Sequence, residues 1–128
     1  TNDFGHGDAK LGTFESRDPY TFYGAMHVLC EKLINRFPNA DILFMTPLHR
    51  CSEDEVSKEN GLPEETNLAG YVSIIREVAE FYGLPVLDLF STSGLQPKVD
   101  IIKETYMPDG LHPSDAGALR LMGFLQTL

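Results

Sequence analysis

The chain has 128 residues, of which 42% are hydrophobic and 23% charged, so it suits one soluble globular domain over residues 1-128. Its 10 Lys and Arg are outnumbered by 19 Asp and Glu, and this net charge of −9 argues against a nucleic-acid partner, because phosphate recognition needs clustered cations. No apolar run approaches the roughly 20 residues that cross a bilayer, and two cysteines cannot make a disulfide framework.

The first half of the chain predicts a helix, a strand and a long loop. Apolar residues at three- and four-residue spacing indicate a helix over 18–37, with Asp18 as its cap and Pro19 in its first turn. The continuous apolar run over 42–45 predicts a strand covered on both faces, as in a parallel sheet. The polar, acidic stretch over 47–66 predicts a loop.

The second half repeats this order. A second helix is predicted over 67–82, with Asn67 as its cap, and a second short buried strand over 85–90. A helical turn is expected around 99–105. The final amphipathic helix should begin after Ser114, which is a good capping residue.

The alternation of helices and strands predicts an α/β fold, a three-layer α/β/α flavodoxin-like arrangement around a parallel sheet. Two parallel strands cannot cover three amphipathic helices, and their edges would be left unpaired. We therefore expect that the first strands of the sheet are missing from this chain. The opening residue is Thr1 rather than Met, which agrees with an absent native amino terminus and leaves the cellular compartment open.

Asp109 and His112 are the strongest candidates for chemistry. In an open parallel sheet, ligands collect at the carboxyl ends of the strands, and the loop over 109–113 precedes a helix that should pack back on the sheet. A serine nucleophile needs an imidazole to take its proton, and the imidazole needs a carboxylate to fix its tautomer. One turn could supply both groups. The alternative is that Asp-Gly-Leu-His-Pro is simply a turn that leads into a helix.

Asp-Gly-Leu-His-Pro-Ser, followed by a helix with alanine and glycine, resembles the last conserved block of the SGNH hydrolases, also called GDSL-type esterases. Thr1-Asn2-Asp3 resembles their Gly-x-Asn-Asp block without its leading glycine. The resemblance implies the carboxy-terminal portion of a serine ester hydrolase domain, an esterase or lipase-like acylhydrolase. Its substrate would be a small-molecule ester, a lipid or an acylated carbohydrate, and no cofactor is implied.

The resemblance also implies roles for individual residues. Asp109 and His112 would belong to the catalytic triad, and Asn2 would donate to the oxyanion hole. The serine and the oxyanion glycine would lie upstream of this chain. Phe4 and His49 are expected as possible residues of the substrate pocket, although Phe4 lies in a stretch that a flexible loop would explain equally well.

Two alternatives to an active serine hydrolase stay open. No Gly-x-Ser-x-Gly or Gly-Asp-Ser occurs, and Ser91 and Ser93 follow a strand where small polar residues usually form a turn, so the chain could be an inactive fragment or a binding module. A metal-dependent hydrolase is the other alternative, but no helix has a paired histidine spacing and no cysteine pair suits zinc, so we predict no metal. The residues that raise this alternative are Asp3, His6, Asp8, His49, Asp109 and His112.

Overall fold

The computed structural model of the protein describes residues 1–7, 9–54 and 66–127. Its elements are α1 (Asn2–His6), α2 (Phe22–Arg36), β1 (Phe44–Met45), α3 (Leu68–Phe81), β2 (Val86–Leu87), α4 (Leu89–Thr92), α5 (Asp100–Tyr106) and α6 (Asp115–Leu125). Residues 55–65 of the predicted loop lie outside the described residues. The chain divides into a first unit, Thr1–Thr46 with Asp54–Leu87, and a second unit, Pro47–Glu53 with Asp88–Leu128.

The sheet of the first unit confirms the predicted parallel pairing. β1 and β2 run parallel, with Phe44 opposite Val86 and Met45 opposite Leu87. However, Leu43 is 37% and Met45 52% exposed, whereas the intervening Phe44 is partly buried. The expectation that this strand is covered on both faces is therefore wrong for the described chain, because its side chains alternate between a covered and an open face.

The core of the first unit lies between α2 and α3. Met26 and Cys30 of α2 pack with Ile74, Ile75 and Val78 of α3, and each of the five is at most 8% exposed. These positions recur at three- and four-residue spacing along their helices, which places them on one face of each. Burial of this stripe is what holds the two helices together.

The starts of α2 and α3 depend on capping side chains. The Asn67 side chain accepts a hydrogen bond from Gly70 N–H at 3.1 Å, as predicted for the start of α3. The prediction that Asp18 caps α2 is wrong. The cap is Thr21, whereas the Asp18 carboxylate accepts from Tyr20 N–H at 3.0 Å in the preceding turn. Proline after Asp18 favours this turn, so the helix begins after it.

The stretch at the beginning of the chain is helical rather than a loop. Asn2–His6 form the short helix α1, and Gly7 closes it with a φ of 60°. Phe4 is 1% exposed and meets the ring of Tyr71 edge-on, with 5.9 Å between centroids. The Tyr71 hydroxyl donates to Ala9 O at 3.2 Å. Phe4 therefore anchors α1 through an aromatic contact of the core.

The described part of the second unit contains three helices, α4, α5 and α6. The predicted strand over 85–90 ends early, because the Asp88 side chain accepts from Ser91 N–H at 3.3 Å and starts α4. The predicted helical turn around 99–105 is confirmed as α5. The predicted cap Ser114 is also confirmed, since its Oγ accepts from Gly117 N–H at 3.2 Å at the start of α6. Within the described residues, no helix is both long and apolar enough to cross a membrane.

Candidate active site

The link between α5 and α6 is a tight turn that orients one carboxylate. Gly110 N–H donates to Met107 O at 2.8 Å, and Gly110 has a φ of 74°, in the left-handed region that favours glycine. Asp109 Oδ1 accepts from the backbone N–H of Leu111 at 2.8 Å and of His112 at 2.7 Å. An aspartate that binds the amides two and three residues ahead is held by its own turn, so the local sequence fixes this carboxylate.

The second oxygen of this carboxylate binds an imidazole. Asp109 Oδ2 lies 2.6 Å from His112 Nδ1, and the two residues are three positions apart in the chain. The side chains are exposed, that of His112 by 75% and that of Asp109 by 53%. The turn therefore presents a preformed imidazole–carboxylate pair, as the sequence predicted, at a surface that a reactant could approach.

The protonation of the pair follows from its hydrogen bonds. The bond with the His112 ring, followed by those from the backbone N–H of His112 and Leu111, holds the pKa of Asp109 well below its usual range. An ionised carboxylate only accepts hydrogen bonds, so the neutral imidazole carries its proton on Nδ1. Its Nε2 then holds a free lone pair. This is the tautomer that a general base requires.

Gly110 is also in close contact with a distant segment of the second unit. Cys51 N–H donates to Gly110 O at 2.9 Å. A Cβ at position 110 would lie 2.7 Å from Cys51 Sγ, closer than real Cβ contacts allow. Backbone conformation and close packing thus both require glycine here, and segment 47–53 lies directly against the turn.

The two helices that flank the turn are joined at their ends. Ser114 N–H donates to Tyr106 O at 2.7 Å, and Ser114 Oγ donates to Thr105 O at 3.0 Å. A Cβ at Gly117 would lie 2.5 Å from the same Tyr106 carbonyl oxygen. The start of α6 therefore approaches the end of α5 as closely as glycine permits, which fixes where the turn begins and ends.

A second imidazole–carboxylate pair lies in segment 47–53. Glu53, 8% exposed, has oxygens 2.9 and 3.0 Å from His49 Nδ1. It also accepts from Arg50 N–H at 3.0 Å and from Gln96 Nε2 at 3.2 Å, and Lys98 Nζ lies 3.4 Å away. Burial raises the pKa of Glu53, but the hydrogen bonds from Arg50, His49 and Gln96 outweigh it and lower the pKa overall. The carboxylate therefore stays ionised although it is buried.

His49 was predicted as a possible pocket residue, but its partner Glu53 was missed. The His49 side chain is 21% exposed, and its ring lies 3.8 Å from the Phe90 ring with a tilt of 31°. The available signal was a histidine and a glutamate four residues apart in a loop that begins with Pro47. The donors from Gln96 and Lys98 come from a remote part of the chain, and no local pattern indicates them. The pocket role of His49 stays a prediction.

The remaining candidates lie in α1 and in α4 or at its end. Asn2 is the exposed first residue of α1, in the first unit, and its role as an oxyanion donor stays a prediction, as does a pocket role for the buried Phe4. Ser93 is 1% exposed, and its Oγ accepts from Leu95 N–H at 3.2 Å, so it stabilises a turn. Ser91 is exposed on α4.

Metal ligands were the other possibility raised by the sequence. Among residues 1–7, 9–54 and 66–127, no group of three or more His, Cys, Asp or Glu side chains could hold a metal ion. Asp8, one of the ligands considered, lies outside the described residues. The histidines at positions 49 and 112 each have a carboxylate on Nδ1 instead.

Solved structures share this fold. One crystal structure is 36% identical, with a TM-score of 0.80, and the match covers 99% of this chain and 61% of that chain. A protein from Lactobacillus plantarum is 28% identical, with a TM-score of 0.83, over 98% of this chain and 61% of that one. A possible lipase from Chitinophaga pinensis DSM 2588 is 17% identical, with a TM-score of 0.68, over 98% and 67%, and this likeness concerns the fold alone.

The chain spans only part of the length of these structures. It spans 61% of the length of the first two structures. Among curated proteins, none matches the chain. Residues 1–120 match the model of the GDSL-like Lipase/Acylhydrolase family. The matched range includes Thr1-Asn2-Asp3 and Asp-Gly-Leu-His-Pro-Ser, the two motifs on which the resemblance rested. The chain therefore belongs to the GDSL-like lipase/acylhydrolase family of hydrolases.

Proposed function

We propose that the complete protein is a serine ester hydrolase in which His112 is the general base and Asp109 its orienting carboxylate. The observation that carries the proposal is the 2.6 Å contact between Asp109 Oδ2 and His112 Nδ1, in a turn whose backbone fixes the carboxylate. Membership of the GDSL-like family supports hydrolysis as the reaction. The serine lies outside this chain, and Asn2 donates to the oxyanion.

The reaction would proceed by acyl transfer. The serine Oγ attacks the ester carbonyl carbon while its proton passes to His112 Nε2, and the carbonyl oxygen becomes an oxyanion. Collapse of the tetrahedral intermediate breaks the bond to the alcohol oxygen, which takes the proton from His112. Water then attacks the acyl-enzyme by the same steps and releases the carboxylic acid. Asp109 stabilises the imidazolium that forms in each step.

The same proposal covers the fold of the complete domain. We propose further parallel strands and a helical layer that produce a three-layer α/β/α sheet. The exposure of Leu43 and Met45 supports this, because a two-stranded parallel sheet with an open apolar face is not stable by itself. The substrate class would be a small ester, either a lipid or an acylated carbohydrate.

A fluorophosphonate probe and hydrolysis of p-nitrophenyl acetate test the proposal on the complete protein. We expect covalent labelling of one serine, and His112→Ala should abolish both labelling and turnover. Asn2→Ala should lower turnover roughly 10²–10³-fold with little effect on the fold, as for loss of one oxyanion donor. An unlabelled protein without esterase activity would instead be a catalytically inactive member of the family, and the proposal would be rejected.

A further inference from the structure

Glu53 is a buried, ionised side chain with no part in the proposed acyl transfer. Its carboxylate receives donors from two stretches of the second unit, His49 and Arg50 in segment 47–53 and Gln96 and Lys98 beyond α4. Burying a charge is costly unless it is paired and hydrogen-bonded, and here at least four groups satisfy it. Such a carboxylate holds segment 47–53 in one conformation.

Segment 47–53 also contacts the turn that contains Asp109 and Gly110, through Cys51. The amide of Arg50 donates to Glu53, and the next amide along the chain, that of Cys51, donates to Gly110 O at 2.9 Å. Cys51 Sγ lies 3.6 Å from Pro97 O, which adds a contact to the same stretch as Gln96. The direction of the Cys51 N–H therefore depends on the conformation that Glu53 maintains.

The Gly110 carbonyl belongs to the peptide group that binds Asp109. The C=O of this peptide accepts from Cys51, and its N–H, on Leu111, donates to Asp109 Oδ1 at 2.8 Å. Because a peptide group is planar and its C=O and N–H point in opposite directions, holding the carbonyl also aims the N–H at the carboxylate. The other hydrogen bonds described for the turn join it to its immediate neighbours in α5 and α6.

We propose that Glu53 is a positioning residue, which acts through Cys51 and the Gly110–Leu111 peptide to hold Asp109 against His112. This inference rests on the proposed function only for its kinetic readout. His112 is 75% exposed, so water competes for its Nδ1–H. Because the Gly110–Leu111 peptide holds the Asp109 carboxylate in place, the carboxylate keeps the imidazole oriented despite that competition. Small displacements of a catalytic group have large kinetic effects, and we expect kcat to fall roughly 10- to 100-fold in Glu53→Gln.

The test compares Glu53→Gln with Glu104→Gln in the complete protein. Glu104 is an exposed carboxylate on α5 of the same unit, so the control removes an equal charge. We expect Glu53→Gln to lower kcat with KM unchanged, whereas Glu104→Gln alters neither. Solution NMR should show the Nδ1–H resonance of His112, assigned from its loss in His112→Ala, broadened by faster exchange in Glu53→Gln only.

Each outcome decides the inference. A folded Glu53→Gln protein with normal kcat and an unchanged His112 resonance would overturn it. If the protein hydrolyses no ester, the proposed function fails, and the resonance alone still decides the role of Glu53. If Glu53→Gln does not fold, Gln96→Ala replaces it, since this variant removes one donor to Glu53 and should broaden the same resonance to a smaller degree. An unchanged resonance in that variant would also overturn the inference.

Discussion

Replacement of Asp109 by asparagine is the sharpest test of the imidazole–carboxylate pair. Asparagine keeps an oxygen for the backbone N–H of Leu111 and His112, so the turn should keep its shape. The amide nitrogen, however, takes the place of Oδ2, which lies 2.6 Å from His112 Nδ1. Because an amide nitrogen only donates, the ring must accept at Nδ1 and carry its proton on Nε2. In that tautomer the ring cannot take a proton from serine.

The expected magnitude follows from how exposed the pair is. In serine-protease triads, the same exchange lowers kcat by about 10⁴-fold through the wrong tautomer. Here the carboxyl side chain is 53% exposed, so water can compete with the amide for Nδ1 and restore part of the correct tautomer. We therefore expect Asp109→Asn to lower kcat by roughly 10²–10⁴-fold with KM little changed.

The assay is steady-state hydrolysis of p-nitrophenyl acetate by the complete protein. The matched control is Asp100→Asn, which neutralises an exposed aspartate at the start of α5 in the same unit. Circular dichroism should show the same fold in both variants. A normal kcat in Asp109→Asn would refute the argument, because the orienting carboxylate would then be dispensable.

The other predictions concern stability, measured as free energies of unfolding in denaturant. Folding lowers the pKa of Asp109, so the stabilisation that its carboxylate provides is complete above the ordinary carboxyl pKa of about 3.9 and is lost as pH falls further. The difference in the free energy of unfolding between the protein and Asp109→Asn should therefore shrink below about pH 4; a larger difference there would contradict this reasoning. Gly110→Ala should destabilise the protein by about 1–3 kcal/mol, because φ is positive at this position and the new Cβ would clash with Cys51 Sγ. Adding Cys51→Ala should relieve the clash with Sγ and restore only part of the stability. Full recovery of stability in the double variant would show that the positive φ causes no strain. In α6, Gly123→Ala should stabilise the protein by up to about 1 kcal/mol, because no atom lies within 4 Å of the added Cβ. Gly117→Ala should destabilise it, because the added Cβ would lie 2.5 Å from the Tyr106 carbonyl oxygen. Equal changes in the free energy of unfolding for the two variants would contradict this difference in packing.

Local chemistry made several elements of the fold predictable. Asn67 and Ser114 begin their helices as expected, because a capping side chain acts on an amide three positions ahead. The same capping rule also explains two wrong predictions, the start of α2 and the end of the second strand. Asp18 and Thr21 are both good caps, and only the turn after Asp18 decides between them. Asp88, which was assigned to a strand, caps α4.

Predictions that depended on distant contacts were less complete. The exposure of Leu43 and Met45 depends on what else covers the sheet, which a short apolar run does not reveal. Asp109 and His112 could be paired from the sequence because one turn holds both. The contacts of Glu53 with Gln96 and of Cys51 with Pro97 could not be predicted, since these partners lie 43 and 46 positions apart in the chain.

The pairing of Asp109 with His112 across one turn also has a kinetic consequence. Its hydrogen bond closes a loop of three residues, and the entropy lost in closing so short a loop is small. The Cys51–Gly110 bond joins segments far apart in the chain, and contacts of that kind form late in folding. We expect a refolding chain to acquire the acid–imidazole contact early, within microseconds to milliseconds. Sharpening of the His112 resonance and recovery of turnover should then both wait for the Cys51–Gly110 bond, and mutations in segment 47–53 should delay both.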